Sequence, residues 1–478
     1  MNDPDRAVLD DLVAVVGRER VRDSLADRIA HDCDASPIFK SRPLAVVSPR
    51  SRDEVVAVVQ ALARHGVPFI GRGAGTGLSG GATAEHDGVI MSLAGMRRIL
   101  EIDPESRIAV VEPGVVNATL SAAASPHGLA FAPDPSSQST CTIGGNVAEN
   151  SGGPHTLKCG VTTNHVLGLE VVLPTGEFTR LGGRGVGAPG LDLVGLFCGS
   201  EGTLGLATEI TVKLTPVPSA CRTLLAVFGS VAAATRAVTE IIAAGIVPAA
   251  LEMLDGVMLG AINRAFGMGF PEDAGALLLI EVDGVQETVD EEAHDIEAIV
   301  RGAGANSVER ARDAAERAQL WRARKQAFGA VGRLTPGYLT QDGVVPRSRL
   351  PEALERIGAV AARHGLEVAN VFHAGDGNLH PCLFYDPAAA GARERVIAAG
   401  EEILDVCMDL GGSITGEHGV GLEKREALAR MFAPADLEAM RAIRAVFDPA
   451  GLANPHKALP WPGGCGETRA LARHVEAH

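Results

Sequence analysis

The sequence predicts an α+β protein with two principal domains, on three observations. Its 478 residues exceed what one hydrophobic core usually organises. Up to Leu214, short apolar runs are separated by glycine-rich loops, the pattern of a strand-and-loop domain. Beyond Pro216 and Pro218 the units lengthen, and strands alternate with long helices as in the ferredoxin-like βαβ–βαβ arrangement.

Apolar positions at helical spacing (Leu9, Leu12, Val13, Val16, Val21, Leu25) predict one or two helices over 7–29. Ser51 and Glu54 read as a capping box opening a helix whose buried stripe is Val55, Val58, Val59 and Leu62. Strands are expected over 67–70, 89–93 and 108–111, with a turn over 85–88. Asn117 is the expected cap of a helix running to His127 and stopped at Gly128. Residues 132–153, rich in small and hydrogen-bonding side chains, read as a long functional loop. A hairpin (169–173 with 178–181), a glycine turn (199–205) and a strand (208–214) complete the first half. In the second half strands are expected over 224–228, 249–254, 277–282 and 369–372. Helices are expected over 231–244, 288–303, 313–330, 351–364, 392–410 and 435–446.

The densest glycine stretch is Gly71–Gly81, which can present a row of main-chain N–H groups to an anion. Gly75–Gly80 satisfies G-x-G-x-x-G, but a turn follows where a Rossmann fold needs a helix. A Walker loop is excluded because no Gly-Lys-Ser/Thr closes the stretch. We read it as a pyrophosphate cradle in a strand-and-loop domain. The bland alternative is a surface loop without a ligand.

Composition narrows the function further. With 43 Lys+Arg against 59 Asp+Glu the formal charge is −16, and only 4% of residues are aromatic, so no nucleic-acid partner is expected. The eight cysteines are scattered singly and form no zinc-ribbon or iron–sulfur motif, as in reduced cytoplasmic proteins. No signal-peptide core opens the chain and no apolar run reaches membrane-spanning length, so any membrane contact is expected to be peripheral.

Two clusters carry candidate chemistry. In Asn370–His380 a Gly375-Asp376-Gly377-Asn378 turn lets His373 and His380 come together, and paired neutral imidazoles are ready ligands for a divalent metal. Gly416-Glu417-His418-Gly419 offers a carboxylate ligand and a base. Two His plus one Glu leaves open positions for substrate. The competing reading makes these histidines partners of main-chain groups around tight turns. On the long helix, Arg324 can fork onto a substrate carboxylate, with Arg322 pointing elsewhere; a solvated basic face is the alternative.

The loop at 71–81, the run 133–153, the turn 199–205, the segments 370–381 and 412–421 and the closing Gly451-Leu452-Ala453-Asn454-Pro455 occur in one order. In these features residues 37–460 resemble the FAD-linked 2-hydroxyacid dehydrogenases of the vanillyl-alcohol-oxidase-type fold. Within that family the chain resembles the FAD-binding subunits of bacterial glycolate oxidases, with D-lactate and D-2-hydroxyglutarate dehydrogenases as close relatives. The resemblance implies an N-terminal helical segment (1–36), a PCMH-type FAD-binding domain (37–217) and a cap domain for substrate (218–410). A segment returning to the FAD domain (411–460) and a tail (461–478) would follow.

It also implies FAD held by Arg72, Gly73, Ala74, Gly75, Thr76, Gly77, Gly80 and Gly81. Further contacts would come from Pro135, Thr140, Gly144, Gly145, Asn150, Gly153, Gly202, Ile210 and Asn454. The loop at 71–81 has no histidine or cysteine to attach flavin, so the FAD is expected to be non-covalent. His373, His380 and Glu417 match metal ligands, for zinc or manganese, His418 matches the catalytic base, and Arg324 matches the carboxylate-binding residue. The implied reaction oxidises a small (D)-2-hydroxy acid, glycolate or D-lactate. Phe328, one turn after Arg324, supplies no polar group where the related hydroxyglutarate enzymes have a hydroxyl, which weakens the case for a second substrate carboxylate. A non-redox flavin-using transferase like alkyl-dihydroxyacetone-phosphate synthase, a D-2-hydroxyglutarate dehydrogenase, and a phosphate- or nucleotide-binding accessory protein are the alternatives. Electrons would pass to an iron–sulfur subunit or a quinone, in the cytoplasm or at the inner membrane face, and the chain is a candidate homodimer.

Overall fold

Three parallel strands supply the first layer. The computed structural model describes residues 3–84, 88–185, 187 and 189–460, so part of the expected 85–88 turn and the expected tail lie outside the described residues. The chain divides into two units. One comprises residues 1–151, 161–217 and 417–478; the other comprises 152–160 and 218–416.

In the first unit, β1 (Val21–Arg22), β2 (Ala45–Val47), β3 (Phe69–Arg72) and β4 (Val89–Ser92) form a sheet in the order β1-β2-β4-β3. β2 and β3 both run parallel to β4, which explains why their sequences are continuous apolar runs. The helix Arg52–His65 crosses from β2 to β3 and buries Val55, Val58, Val59 and Leu62. Ser51 Oγ accepts the Glu54 N–H at 3.3 Å, as a cap should. The return arm of the expected box goes instead to the Arg50 N–H, at 2.8 Å from the Glu54 carboxylate. Val21, expected in a helix, pairs with Val47 in β1, between the helices Asp3–Val16 and Leu25–Ile29.

The next strands are β5 (Ile99–Asp103), β6 (Ile108–Val111), the short β7 (Leu129–Ala130), β8 (Val166–Val172), β9 (Phe178–Gly182), β10 (Leu206–Lys213) and the short β11 (Thr215–Pro216). Five of them make an antiparallel sheet, β5-β6-β10-β8-β9, and β7 pairs with β11. Sequence periodicity missed β5, whose partly exposed ILEID run does not alternate cleanly. It also assigned Asn117 the wrong role. The helix Asn117–Ala124 is capped at Val116, and the buried Asn117 amide instead donates to Pro133 O at 2.9 Å and Asn146 Oδ1 at 3.2 Å. Part of the long loop is helical, since Thr142 caps Ile143–Glu149.

The second unit holds an eight-stranded antiparallel sheet: β12 (Ala220–Phe228), β13 (Ala250–Asp255), β14 (Ala276–Gly284), β15 (Ala305–Arg310), β16 (Gly337–Thr340), β17 (Gly343–Val344), β18 (Glu367–His373) and β19 (Asn378–Tyr385). Its order is β15-β12-β14-β13-β18-β19-β16, with β17 also on β19. The first four strands therefore interleave as split βαβ units do. Helices Val231–Ala243, Gly256–Phe266, Gln286–Gly302 and Ala314–Leu334 make the connections. No helix among the described residues is long and apolar enough to cross a membrane.

Asp255 joins two of these elements. Its carboxylate caps Gly256–Phe266 through the Met258 N–H at 2.8 Å and accepts both the Asn370 N–H and its amide, at 2.9 and 2.7 Å. Asp255→Ala leaves three donors without this acceptor and should cost about 1–3 kcal/mol in urea unfolding. A loss within about 0.5 kcal/mol, as for an ordinary surface change, would contradict that role.

Candidate functional site

β3 ends at Arg72, and the chain then runs through bends and turns to Ala84 without a helix, so G-x-G-x-x-G here has no Rossmann context. Among the described residues, the N–H groups of Ala74 to Leu78 donate no hydrogen bond to the protein. The loop's shape depends on missing side chains. A Cβ on Gly73 would lie 2.3 Å from Thr142 Oγ1. Gly75 has φ +70°, and a Cβ there would lie 2.3 Å from Arg72 Nη2. Arg72 thus folds beneath the loop and donates to Ala82 O at 3.2 Å. Asp34 holds the far end, accepting the Gly80 N–H at 2.8 Å and the Ser36 N–H at 2.8 Å.

Two later segments close on this loop. Phe69 exchanges main-chain bonds with the 452–454 strap: Phe69 N–H to Leu452 O at 2.9 Å, and Asn454 N–H to Phe69 O at 2.8 Å. The Asn454 amide donates to Gly81 O at 2.9 Å and to Glu201 O at 2.7 Å. Lys457, fully buried, donates to Thr83 O at 2.7 Å and to Asn454 Oδ1 at 3.2 Å. The second segment is 417–424. Glu201 accepts the Val420 and Gly421 N–H groups, each at 2.7 Å, and Leu422 N–H donates to Ser79 O at 2.9 Å. Gly421 is required by close approach, since a Cβ would lie 2.2 Å from Ser79 O. The backbone around Glu417 and His418 is irregular, and the His418 Nε2–Glu417 Oε1 separation is 3.9 Å. Burial and the neighbouring Glu201 push the Glu149 carboxyl well above its ordinary range.

The other expected cofactor residues have varied settings. Thr76 and Gly77 lie in the open part of the loop, and Gly77 O accepts the Ala35 N–H at 2.9 Å. Pro135 is buried and Thr140 exposed. Gly144 packs on Pro113, and Gly145 donates to the capping Thr142 at 3.3 Å. Asn150 ends its helix at φ +52° and accepts the Thr163 N–H at 2.8 Å. Gly202 has φ +71° beside Glu201, itself at φ +54°. Ile210 is fully buried in the apolar core of β10 and its neighbours. Gly153 falls in the second unit, where its N–H donates to Thr156 Oγ1 at 2.9 Å.

The second unit gathers the remaining chemistry on one sheet face. His373 and His380 sit on the hairpin β18–β19, buried, with ring centroids 5.0 Å apart and planes at 90°. Glu252 on β13 is the direct cross-strand neighbour of His373, and its Oε1 lies 2.6 Å from His373 Nδ1. The other oxygen of Glu252 accepts Arg324 Nε. Glu281 on β14 repeats the pattern: it accepts Trp321 Nε1 at 2.8 Å and both Arg317 Nε and Nη2, at 2.7 and 2.6 Å. Residues 317, 321 and 324 share one face of the helix Ala314–Leu334, and that face covers the two acids. Arg324 is accordingly buried, while its neighbours Arg322 and Lys325 are exposed. Asp342, also buried, accepts from Thr415 Oγ1 and from the Gly416 N–H at 3.1 Å, with an oxygen 3.9 Å from His380 Nδ1. Gly416 abuts Asn378, where a Cβ would lie 2.5 Å away. Glu252, Glu281, Asp342, Glu201, Glu149 and Asp34 were not singled out from sequence. For Glu252 and Glu281 the available signal was a lone acid inside an apolar strand, as in Ala250-Leu251-Glu252-Met253-Leu254.

Asp34 supplies a test of this geometry. Burial raises its carboxyl from the ordinary 3.8 to about 6. The folded state therefore binds the proton more tightly than the unfolded chain, and the stability from this group is lost as pH rises from about 4 to 6. The urea stability of the wild type relative to Asp34→Asn should shrink between about pH 4 and 6.5. A difference that grows with pH would contradict the assignment.

Comparison with known proteins agrees with this architecture. Residues 43–182 match an FAD binding domain, and residues 217–458 match the C-terminal domain of FAD linked oxidases. The glycolate oxidase subunit GlcD of Escherichia coli K12 is 46% identical over 446 residues, 93% of this chain and 89% of the relative. The Bacillus subtilis GlcD is 43% identical over 451 residues, 94% of this chain and 96% of the relative. A probable mitochondrial D-lactate dehydrogenase of Danio rerio is 34% identical over 453 residues, 93% and 90% of the two chains. Among solved structures, p-cresol methylhydroxylase superposes with a TM-score of 0.81 at 18% identity, covering 97% of this chain and 98% of the other. The 4-ethylphenol oxidase of Gulosibacter chungangensis gives 0.79 at 20% identity with the same coverage. These likenesses establish the PCMH, or vanillyl-alcohol-oxidase-type, fold. With an FAD-binding first half and a matching second half, the chain belongs to the FAD-linked oxidase family.

Proposed function

We propose that the protein oxidises a small (D)-2-hydroxy acid, glycolate or D-lactate, to the 2-oxo acid. The observation that carries the reading is the second unit's sheet face, where His373, one of a buried imidazole pair, and the buried Arg324 meet the Glu252 carboxylate. An acid-binding cation beside two metal-ligand side chains suits a substrate with adjacent carboxylate and hydroxyl groups. The similarity to the GlcD subunits and to the D-lactate dehydrogenase supports the same class.

The cradle of free N–H groups at 74–78, with Arg72 beneath it, suits the pyrophosphate of FAD. The lack of histidine or cysteine in that loop favours non-covalent binding. The donor set His373, His380 and Glu417 suits zinc or manganese. Bound FAD supplies a two-electron acceptor for the α-hydrogen, and a bound divalent cation supplies a Lewis acid for the hydroxyl. Arg324 holds the substrate carboxylate and so orients the α-carbon. The neutral imidazole of His418 takes the hydroxyl proton as the C–H bond breaks. The relatives' naming as subunits of a glycolate oxidase supports a partner subunit. We take an iron–sulfur subunit or a quinone as the next electron acceptor, at a cytoplasmic or inner-membrane-face location, with a homodimer also compatible.

Turnover with an artificial electron acceptor should be seen with glycolate or D-lactate, and His418→Ala should keep FAD while losing about 10²–10⁴ in the rate of flavin reduction. Near-normal reduction would remove His418 as the base. His373→Ala should lower the bound metal, measured by elemental analysis. Unchanged metal stoichiometry would return the imidazole pair to a structural role.

A further inference from the structure

We propose that Glu252 is a positioning residue that sets the ring orientation of His373 and the fork of Arg324 together, so that metal binding and carboxylate binding share one anchor. The inference rests on the metal and carboxylate roles proposed above. Glu252 is fully buried on β13, and its two oxygens are divided between two elements. One faces His373 Nδ1 on β18 at 2.6 Å; the other takes Arg324 Nε from the helix Ala314–Leu334.

Each bond has a chemical consequence. An acceptor at Nδ1 places the ring proton there and turns Nε2, with its lone pair, toward any cation, as outer-shell carboxylates do for metal-bound histidines. Binding Arg324 through Nε leaves the two terminal nitrogens as the donors of the fork. Among the described residues, Arg324 donates no other hydrogen bond. A buried carboxylate with two such partners loses its function in both directions when one partner is removed.

The test uses the FAD-loaded protein as wild type, Glu252→Gln and Arg324→Lys. In metal-free protein labelled with ¹⁵N-histidine, His373, assigned with His373→Ala, should show the Nδ1-protonated tautomer, and Glu252→Gln should abolish that preference. Manganese or zinc affinity, by equilibrium dialysis, should fall roughly 10–100-fold in Glu252→Gln. Arg324→Lys, which alters no proposed ligand, should also weaken the metal, by about threefold or more. KM for the hydroxy acid should rise in Glu252→Gln more than kcat falls. An unchanged tautomer with metal affinity within about twofold of wild type would overturn the proposal. If Glu252→Gln loses its fold by circular dichroism, Glu252→Asp is read on the same measurements.

A wild type that binds no metal yet oxidises hydroxy acids would reject the metal role, and Glu252 would then stand or fall on the tautomer and KM. A wild type that binds metal but oxidises no 2-hydroxy acid would reject the proposed reaction, leaving the tautomer and metal affinity to decide Glu252.

Discussion

The first unit depends on the buried carboxylate of Glu201. It accepts the Val420 and Gly421 N–H groups, while its main-chain oxygen accepts the Asn454 amide. Residues from three distant parts of the chain are thereby fixed around the glycine loop. Loops 71–81, 199–205 and 417–424 have little apolar surface to bury, so the hydrophobic effect cannot hold them. Hydrogen bonds to a buried acceptor, worth about 0.5–1.5 kcal/mol each and costlier to leave unmade, can. Glu201 occupies the left-handed region at φ +54°, a conformation costly for a non-glycine residue unless its surroundings demand it. The result is a loop whose shape is specified while the N–H groups of Ala74 to Leu78 stay unused by the protein.

The second unit solves a different problem with the same means. Its sheet buries acids on a face that would ordinarily be apolar, and the helix Ala314–Leu334 brings Arg317, Trp321 and Arg324 down onto them. Such buried pairs are poor sources of stability compared with packed hydrocarbon, because each ion must first leave water. What they provide is geometry. Glu281 is fully engaged with Arg317, Trp321 and Thr223, which anchors the first half of the helix. That anchoring sets the height at which Arg324 meets Glu252 and, through it, His373.

Much of this was legible in sequence, and the boundary between what was and was not is physical. The helix after Ser51 announced itself by its cap and its stripe, and the hairpin carrying His373 and His380 by its Gly-Asp-Gly turn. Fully buried parallel strands read as apolar runs. Partly exposed β5 did not alternate, and Asn117 looked like a cap because Asn usually is one, whereas its amide is spent tethering the 133 and 146 regions. Glycine loops were legible as candidate phosphate cradles, but what holds them was not, since Asp34, Glu149 and Glu201 lie far apart in sequence from the groups they meet. Glu252 was hidden for the same reason: its partners are 72 and 121 residues away. Composition and spacing report local structure well, and acceptor–donor pairs made by topology only after the sheet order is known.

The central claim is that this FAD-linked oxidase draws two electrons from a small 2-hydroxy acid. It is tested most directly by anaerobic titration of the purified flavoprotein with 2-hydroxy acids of both configurations, followed by the flavin absorbance. Glycolate or D-lactate should bleach the flavin with a stoichiometry of about one acid per flavin, and L-lactate should not. Bound flavin that no 2-hydroxy acid reduces would contradict the account.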